Sequence, residues 1–307
     1  MTTLVFGHKA PDTDSTGSPL IWAWYLAEER GEPAEAVLLG EPSAEAAFAL
    51  GRWGVETPRV IEGVEPGQRV VVVDTNNPAE LPEGIAEAEI AQIIDHHRLV
   101  GGLETRVPIE MTVRPLASTA TLMADLMGED AVERMPEGLR GMMLSCILSD
   151  TLEFRSPTTT PRDRELAERL AEGLGLSIPD YAAEMFAAKS DLSGMSAEEL
   201  LRLDSKETAL GATRLRVSVV ETTAPGPILE RKHEIMEAMP KVALEDGVNE
   251  VLLFVVDILR EEATLLVPND LTKGLAQRSF GVAVEGDTVV LPGVMSRKKQ
   301  IIPALAV

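Results

Sequence analysis

Two short and almost wholly apolar runs, residues 70–73 and 90–94, place the tightest limit on the fold. A strand with one face in solvent alternates apolar and polar residues, whereas an unbroken apolar run is typical of a strand buried on both faces of a parallel sheet. Further strand-like runs at 3–6, 36–39 and 59–61 alternate with helical patterns at 19–29 and 43–53. This alternation predicts a doubly wound α/β domain with a mainly parallel sheet.

The rest of the chain predicts more helices and then a second, smaller α/β domain. Helical patterns follow at 118–127, 139–148, 161–174 and 179–188. Beyond a short polar segment that suits a linker, 190–194, helices are predicted at 197–204, 227–244 and 271–279, and strands at 213–220, 250–257, 264–267, 288–291 and 301–305. We therefore predict two domains, residues 1–189 and 195–307, with the boundary near 188–196.

Composition argues against several classes of protein. The 28 Lys and Arg against 50 Asp and Glu give a net charge of −22, which argues against a nucleic-acid partner because phosphate-backbone binding needs a positive field. Cys146 is the single cysteine, so an intramolecular disulfide is impossible and a reducing compartment is expected. We see no apolar segment long enough to cross a bilayer and no export signal, so we expect no membrane partner.

Carboxylate and imidazole side chains follow three of the predicted strands at the point where each strand ends. They are His8, Asp12 and Asp14 after the first strand, Asp74 after the run 70–73, and Asp95, His96 and His97 after the run 90–94. The chain has four histidines, so three of the four lie at these strand ends. Because ligands of open α/β sheets bind outside the carboxyl ends of the strands, we expect these side chains to converge.

The donor types at these strand ends predict a pair of metal ions. Carboxylates together with imidazoles suit Mn²⁺, Fe²⁺, Co²⁺ or Zn²⁺, whereas oxygen ligands alone suit Mg²⁺ or Ca²⁺. The candidates outnumber the ligands that one ion needs, so two ions that share a carboxylate are expected. Two metals about 3.5–4 Å apart recur in enzymes that break phosphate esters and anhydrides.

Each of these residues has a simpler interpretation when it is taken alone. Asp12 or Asp14 would more often be a helix cap or a turn residue, and His8 would more often be an ordinary polar residue. Asp150 would be the last residue of an apolar helix, and His233 lies within a predicted amphipathic helix and is interpreted as structural. Clustering at three strand ends is not expected from these simpler interpretations, so it favours the metal site.

A group of adjacent cations, within residues 296–300, stands out in this acidic chain. Its simplest interpretation is a solvated turn, and the functional alternative is a clamp for an anion, with Arg297 as a bidentate donor and Lys298 as a point charge. Lys206 by itself is no more than an exposed lysine near the end of a predicted helix.

Taken together, these segments resemble a known family. Residues 7–14, 73–74, 95–97 and 149–150 resemble the DHH phosphoesterase superfamily. Residues 203–207 and 296–300 resemble the DHHA2 domain of the family II, manganese-dependent inorganic pyrophosphatases. The resemblance covers essentially the whole chain, and its motifs are highly specific in combination.

The resemblance implies a role for each motif residue. One metal would be held by His8, Asp12 and Asp74, and the other by Asp14, Asp74, His96 and Asp150, with Asp74 as the bridging ligand. His97 would contact the substrate and protonate the leaving phosphate, and Lys206, Arg297 and Lys298 would grip pyrophosphate. The resemblance also implies a cytoplasmic homodimer joined through its N-terminal domains, with two Mn²⁺ or Co²⁺ ions per subunit and Mg²⁺ accompanying the substrate.

The chain departs from the family pattern at one position. The family has Asp-His-Asn around the bridging aspartate, whereas this chain has Asp74, Thr75 and Asn76. A threonine cannot ligate a metal or carry a proton as an imidazole does. The predicted ligand set is complete without this position, so we still expect activity.

The predicted function is hydrolysis of inorganic pyrophosphate to two orthophosphates by a hydroxide that bridges two metals. An exopolyphosphatase or a short-nucleotide phosphodiesterase of the same superfamily is the nearest alternative, although we find no glycine-rich Gly-Gly-Gly-His motif typical of the nucleotide-cleaving relatives. A non-enzymatic metal-binding regulator on the same fold is the alternative from a different class.

Overall fold

The computed structural model describes residues 2–189, 192, 194–211 and 213–306. The chain divides into two compact units, Met1–Lys189 and Ser190–Val307. Most of the predicted linker at 190–194 lies outside the described residues. In the part of the chain that is described, no helix combines the length and the apolar character needed to span a membrane.

The first unit contains one fully parallel sheet. Its strands are β1 (Thr3–Phe6), β2 (Ala34–Ala36), β3 (Arg69–Val73), β4 (Glu89–Asp95) and β5 (Glu110–Val113). They lie in the order β2-β1-β3-β4-β5, and each neighbouring pair is parallel. The apolar side chains of β1 and β3 are buried almost completely, as the unbroken apolar runs predict.

Helices connect and flank these strands. They are α1 (Thr13–Trp24), α2 (Ala44–Trp53), α3 (Thr119–Met127), α4 (Glu129–Arg134), α5 (Glu137–Thr151), α6 (Pro161–Leu174) and α7 (Ile178–Lys189). A π-helical turn, Tyr25–Glu29, continues α1, and 3-10 turns cover Pro78–Glu80 and Ile85–Glu87. Side-chain caps explain several starts: Ser43 caps α2, Ser118 caps α3, and Thr160 forms a capping box with Asp163 at α6.

The strand order fixes where a ligand can bind. Starting from β1, the chain first adds β2 on one side and then β3 on the other, so the sheet has its topological switch point between β1 and β3. A crevice forms outside the carboxyl ends of the strands at such a point. His8 lies two residues beyond the end of β1, and Asp74 directly follows β3. The topology therefore brings His8 and Asp74, two of the predicted metal ligands, to opposite sides of the crevice.

The second unit contains a mixed sheet. Its elements are α8 (Ala197–Leu200), β6 (Ser205–Leu210), β7 (Thr213–Thr222), α9 (Gly226–Glu230), α10 (Lys232–Glu245), β8 (Glu250–Asp257), β9 (Glu262–Leu266), α11 (Asp270–Phe280), β10 (Thr288–Pro292) and α12 (Ile302–Ala304), with a π-helical turn at Arg297–Ile301. The strand order is β10-β9-β8-β7-β6, and β7 and β8 form its parallel pair. Alternate residues of β8 enter two different apolar clusters, so this strand is buried on both faces.

The predicted fold class is confirmed, since a parallel α/β domain is followed by a second α/β unit. Several element predictions were wrong in detail. Helix α1 begins at Thr13 rather than at residue 19, because Asp12 caps it and its first turns bury small polar residues instead of apolar ones. The run 59–61 forms only an isolated bridge, Leu38 with Val60, beyond the short strand β2. Strand β5 was not predicted.

The second unit also corrects three predictions. Residues 301–304 of the predicted strand 301–305 are helical rather than extended, because they continue the turn that Ser296 caps. The predicted helix 197–204 ends at Leu200, and the chain then enters the unpredicted strand β6. The predicted helix 227–244 is broken at Arg231 into α9 and α10.

Candidate metal centre

The carboxylate of Asp74 lies at the centre of the crevice. It follows β3 with a backbone φ of 58°, a left-handed conformation that is uncommon for a residue other than glycine and that asparagine and aspartate tolerate best. The side chain is 1 % exposed. Thr119 donates a hydrogen bond to Oδ1 of Asp74 at 3.1 Å, whereas Oδ2 is buried and has no hydrogen-bond partner among the described residues. A buried carboxylate oxygen without a donor is costly unless a cation occupies the space in front of it.

Two histidines face the two oxygens of this carboxylate. Nε2 of His8 lies 3.5 Å from Oδ2 of Asp74 and 3.6 Å from Oδ2 of Asp12. Nε2 of His96 lies 3.4 Å from Oδ1 of Asp74. These separations exceed good hydrogen-bond lengths. Ligands that share one ion at about 2.0–2.2 Å lie roughly 3–3.5 Å apart, so the spacing suits ligands of a common ion.

Three groups of possible ligands occur within this crevice, and within each group the ligand atoms lie within 4.8 Å of one another. The groups are His8, Asp12 and Asp74; Asp74, His96 and His97; and Asp14, His96 and Asp150. Asp74 belongs to the first two groups and His96 to the last two. The structure therefore brings together all six residues predicted as metal ligands.

Asp12 combines the role of a helix cap with a position in the crevice. Its Oδ1 accepts a hydrogen bond from the backbone N–H of Ser15 at 2.9 Å and so caps α1. Its Oδ2 is the oxygen that faces His8. The simple interpretation of Asp12 as a cap is therefore correct, and it is compatible with metal binding because each role uses a different oxygen.

Asp14 and Asp150 meet at the inner wall of the crevice, from the first turn of α1 and the last turn of α5. Asp14 is 1 % exposed, and its carboxylate accepts hydrogen bonds from the N-terminal N–H groups of α3, at 2.7 Å from Thr119 and 3.3 Å from Ala120. The positive end of the α3 dipole thus faces this carboxylate. Oδ2 of Asp150 is buried and without a hydrogen-bond partner among the described residues, like Oδ2 of Asp74.

The electrostatics of the crevice favour the binding of a cation. Burial, followed by the charges of Asp14, Asp12 and Asp95, raises the pKa of Asp74 well above its usual range. Burial and the charges of Asp14 and Asp74 likewise raise the pKa of Asp150. Both shifts have the same origin, which is that buried carboxylates repel one another without a compensating positive charge. Divalent ions would supply that charge, and the mixed oxygen and imidazole donors fit an ion such as Mn²⁺.

His97 is held differently from His8 and His96. Its Nδ1 lies 2.9 Å from Oδ1 of Asp95, and its backbone N–H donates to the same oxygen at 3.0 Å. Burial raises the pKa of Asp95, but hydrogen bonds from His97 and from Asn76 outweigh it, so this pKa is lowered overall. Asp95 is therefore a buried anion that orients the His97 ring, and the ring is 52 % exposed. This leaves Nε2 of His97 for another partner.

A cavity of about 480 Å³ adjoins the crevice, and its lining includes His8, Lys9, Thr75, Asn77, Glu80 and His97. Thr75, the position that departs from the family motif, donates a hydrogen bond from Oγ1 to Glu80 at 2.6 Å. Asn77 donates to the other oxygen of Glu80 at 3.0 Å. The hydrogen bond from Thr75 is the largest cause of the lowered pKa of Glu80. The carboxylate of Glu80, which these two hydrogen bonds hold in place, therefore lines this cavity.

The three predicted substrate cations all lie in the second unit. Lys206 is exposed on β6, and Arg297 and Lys298 begin the π-helical turn that Ser296 caps. Nη1 of Arg297 lies 2.8 Å from Oδ1 of Asp204, two residues before Lys206. This ion pair brings the turn next to the segment that carries Lys206.

Sequence reasoning missed two residues that support the crevice. Thr119 contacts both Asp74 and Asp14 from the start of α3, and nothing in the sequence marks it beyond its place after the Ser118 cap. Glu45 is a buried carboxylate in the first turn of α2. The sequence offers no signal for this role of Glu45, because its partner Ser149 lies 104 residues away in the chain.

Comparison with known proteins places both units in described families. Residues 2–149 match the DHH family, N-terminal domain, and residues 183–306 match the DHHA2 domain. The chain is 39% identical over 306 residues to a probable manganese-dependent inorganic pyrophosphatase of Deinococcus radiodurans, covering 98% of this chain and 96% of the relative. It is 37% identical over 304 residues to a protein of the same description from Shouchella clausii, covering 99% and 96%.

A solved structure is also similar over its whole length. It is a Methanococcus jannaschii protein assigned to the family II inorganic pyrophosphatases, with a TM-score of 0.61 and 33% sequence identity. The similarity covers 99% of this chain and 98% of that chain.

Proposed function

Because the chain belongs to the manganese-dependent inorganic pyrophosphatases with DHH and DHHA2 domains, we propose that it hydrolyses inorganic pyrophosphate to two orthophosphates at a dinuclear metal centre. The observation that carries the dinuclear part is the position of Asp74. Its carboxylate belongs to two groups of possible ligands, and one of its oxygens is buried without a donor among the described residues. A bridging ligand needs this arrangement.

The proposed ligand sets are those that the family resemblance implies. One ion would be held by His8, Asp12 and Asp74, which form one group of possible ligands. The other would be held by Asp14, His96 and Asp150, which form a second group, together with Asp74. His97 is assigned to the substrate instead, because Asp95 already occupies its Nδ1 and its ring is half-exposed beside the cavity. We propose Mn²⁺ as the resident ion with two ions per subunit, Co²⁺ as a substitute, and Mg²⁺ as the companion of the substrate.

The protein groups then have separable roles in the reaction. When bound, the metal pair lowers the pKa of a water molecule to make a nucleophile and neutralises charge on the attacked phosphoryl group. Asp74 would hold both ions through its carboxylate. His97, oriented through Nδ1 by Asp95, donates a proton from Nε2 to the leaving phosphate. Each role depends on a contact within the first unit.

The proposed contribution of the second unit is positive charge. Lys206, Arg297 and Lys298 bind the phosphoryl oxygens and stabilise the negative charge that develops during transfer. The ion pair of Arg297 with Asp204 supports this assignment, because it keeps the guanidinium beside the Lys206 segment instead of leaving it to solvent. Guanidinium and ammonium donors together suit a short polyanion.

We further propose a cytoplasmic homodimer that is joined through the first unit. Strand β5 is the last strand at one side of the sheet, so the outer edge of β5 has no partner strand in the described part of the chain. Apolar side chains lie exposed beside this edge: Leu99 is 66 %, Val107 55 % and Met111 44 % exposed. An unpaired edge with an apolar surround is a favourable site for association with a second copy.

One assay tests the proposed function against its alternatives. The chelated protein is supplied with Mn²⁺, Co²⁺ or Mg²⁺ in turn, and phosphate release is measured from pyrophosphate, tripolyphosphate and a dinucleotide. We expect chelation to abolish activity, Mn²⁺ to restore it best, and pyrophosphate to be the preferred substrate. Preference for tripolyphosphate or for the dinucleotide would instead indicate the other activities of the superfamily, and Mn²⁺ binding without turnover would indicate a regulator.

A further inference from the structure

Glu45 is a carboxylate buried where a helix begins, close to the metal centre but outside it. It lies in the first turn of α2, which Ser43 caps, and it is 1 % exposed. Its Oε1 accepts a hydrogen bond from the hydroxyl of Thr13 at 2.7 Å and another from the hydroxyl of Ser149. Glu45 belongs to none of the groups of possible metal ligands among the described residues.

The two donors of these hydrogen bonds are neighbours of proposed ligands in the chain. Thr13 lies between Asp12 and Asp14 at the start of α1, and Ser149 directly precedes Asp150 in the last turn of α5. One oxygen of Glu45 therefore ties the start of α1 to the end of α5. Helices α1 and α5 pack together, and these are the two segments that meet in the proposed ligand group of Asp14 and Asp150.

A carboxylate is an expensive choice for this position if packing is its only purpose. Burial of a polar group is costly unless the group is hydrogen-bonded, and an apolar side chain of similar size would fill the same space without that cost. What an apolar side chain cannot provide is a common acceptor for Thr13 and Ser149.

We infer that Glu45 is a positioning residue of the metal centre, which fixes Asp14 relative to Asp150 through the hydroxyls of Thr13 and Ser149. The inference rests on the proposed dinuclear function. Partners that orient ligands in this way typically change metal affinity by about 10–100-fold when they are removed. The ion held by Asp14, His96 and Asp150 should lose most, because both of the tied segments contribute to its site.

The test compares pairs of variants of the full chain by titration with Mn²⁺ in a calorimeter. Ser149→Ala and Thr13→Val remove a donor to Glu45, whereas Thr13→Ser keeps it. Ser145→Ala is the matched control, because Ser145 is a buried hydroxyl one helical turn earlier in α5 whose partners are Gly141, Trp53 and Tyr181. Circular dichroism at the same temperature establishes that each variant is folded.

We expect Ser149→Ala and Thr13→Val to weaken binding of one of two Mn²⁺ ions by about 10–100-fold. Thr13→Ser and Ser145→Ala should bind both ions as the wild type does, even where Ser145→Ala lowers the melting temperature. Wild-type affinity in folded Ser149→Ala and Thr13→Val would overturn the inference, and so would an equal loss in Ser145→Ala.

Two further results keep this inference separate from the proposed function. A Glu45→Met variant, which removes the common acceptor and keeps a side chain of similar size, should show the same weakened site, and if it does not fold, the hydroxyl variants decide the question. Wild-type protein that binds two Mn²⁺ ions without hydrolysing pyrophosphate would contradict the proposed function and not the role of Glu45, whereas wild-type protein that binds no Mn²⁺ would overturn both.

Discussion

Oδ2 of Asp74 lies 3.5 Å from Nε2 of His8, buried and without a hydrogen-bond donor among the described residues. The contact joins the ends of β1 and β3, the two strands on either side of the topological switch point. A carboxylate oxygen and an imidazole nitrogen at this separation are spaced as ligands of one ion. The proposed chemistry starts from this pair.

Replacement of Asp74 tests the bridging role. Asp74→Asn keeps the size and the hydrogen bond with Thr119 but removes the charge, so we expect Mn²⁺ affinity and the rate of pyrophosphate hydrolysis each to fall by about 100-fold or more. Asp125→Asn, in the surface ion pairs with Arg114 and Arg162, is the control and should retain both. Calorimetry and phosphate release measure the two effects. Full metal binding by Asp74→Asn would exclude a bridging carboxylate at this position.

Replacement of Lys298 and of its neighbour Lys299 in the second unit distinguishes substrate binding from metal binding. Lys298→Ala should raise KM for pyrophosphate by about 10–100-fold, since one charge-assisted hydrogen bond contributes about 1.5–3 kcal/mol. Lys299→Ala removes a neighbouring charge that is also exposed and should change KM by no more than a few-fold. Both variants should bind Mn²⁺ as the wild type does. If Lys298→Ala loses its metal ions, then the division of roles between the two units is wrong.

The edge of β5 offers a test of the proposed dimer. Met111→Lys places a charge on an exposed apolar position of this strand, and we expect it to shift the protein from dimer to monomer in light-scattering measurements. Val290→Lys is the control, because Val290 is similarly exposed, at 47 %, on the edge strand β10 of the second unit. A wild-type monomer, or dissociation by Val290→Lys alone, would argue against association through β5.

Tyr181 predicts a dependence of stability on pH that is independent of the metal centre. Burial raises its pKa to about 12, although hydrogen bonds with Ser145 and Trp53 oppose the shift. The pKa of an unfolded tyrosine is about 10. Above that pH the folded state therefore holds more protons than the unfolded state, and the free energy of unfolding falls as pH rises. The contribution is fully present below pH 10.

Phenylalanine at this position removes both the titration and the hydrogen bonds. We expect Tyr181→Phe to lower the free energy of unfolding by about 1–2 kcal/mol at pH 7 and to show a shallower decline than the wild type between about pH 10 and 12. Urea unfolding at a series of pH values measures both quantities. Parallel curves for the two proteins would mean that Tyr181 titrates normally.

The sequence predicted the parallel sheet and the converging ligands because both depend on local patterns. Unbroken apolar runs mark doubly buried strands, and residues that follow parallel strands must share one edge of the sheet. The same logic failed for β5 and β6, because their residues are exposed or half-buried and carry no such run. It failed for the start of α1, where buried serines and threonines pack beside the crevice.

What the sequence could not reveal is which residues support the ligands. Thr119 and Glu45 contact the ligand segments through the tertiary fold, at separations of 45 residues from Asp74 and 104 residues from Ser149. The sequence did show that Thr75 replaces the histidine of the family pattern. Only the structure shows that its hydroxyl holds Glu80 beside the cavity instead.

The most direct test is a crystal structure of the Mn²⁺-loaded protein with anomalous scattering recorded at the manganese edge. We predict two peaks about 3.5–4 Å apart on either side of Asp74, one beside His8 and Asp12 and the other beside Asp14, His96 and Asp150. A single peak, or two peaks of which only one touches Asp74, would contradict the dinuclear account.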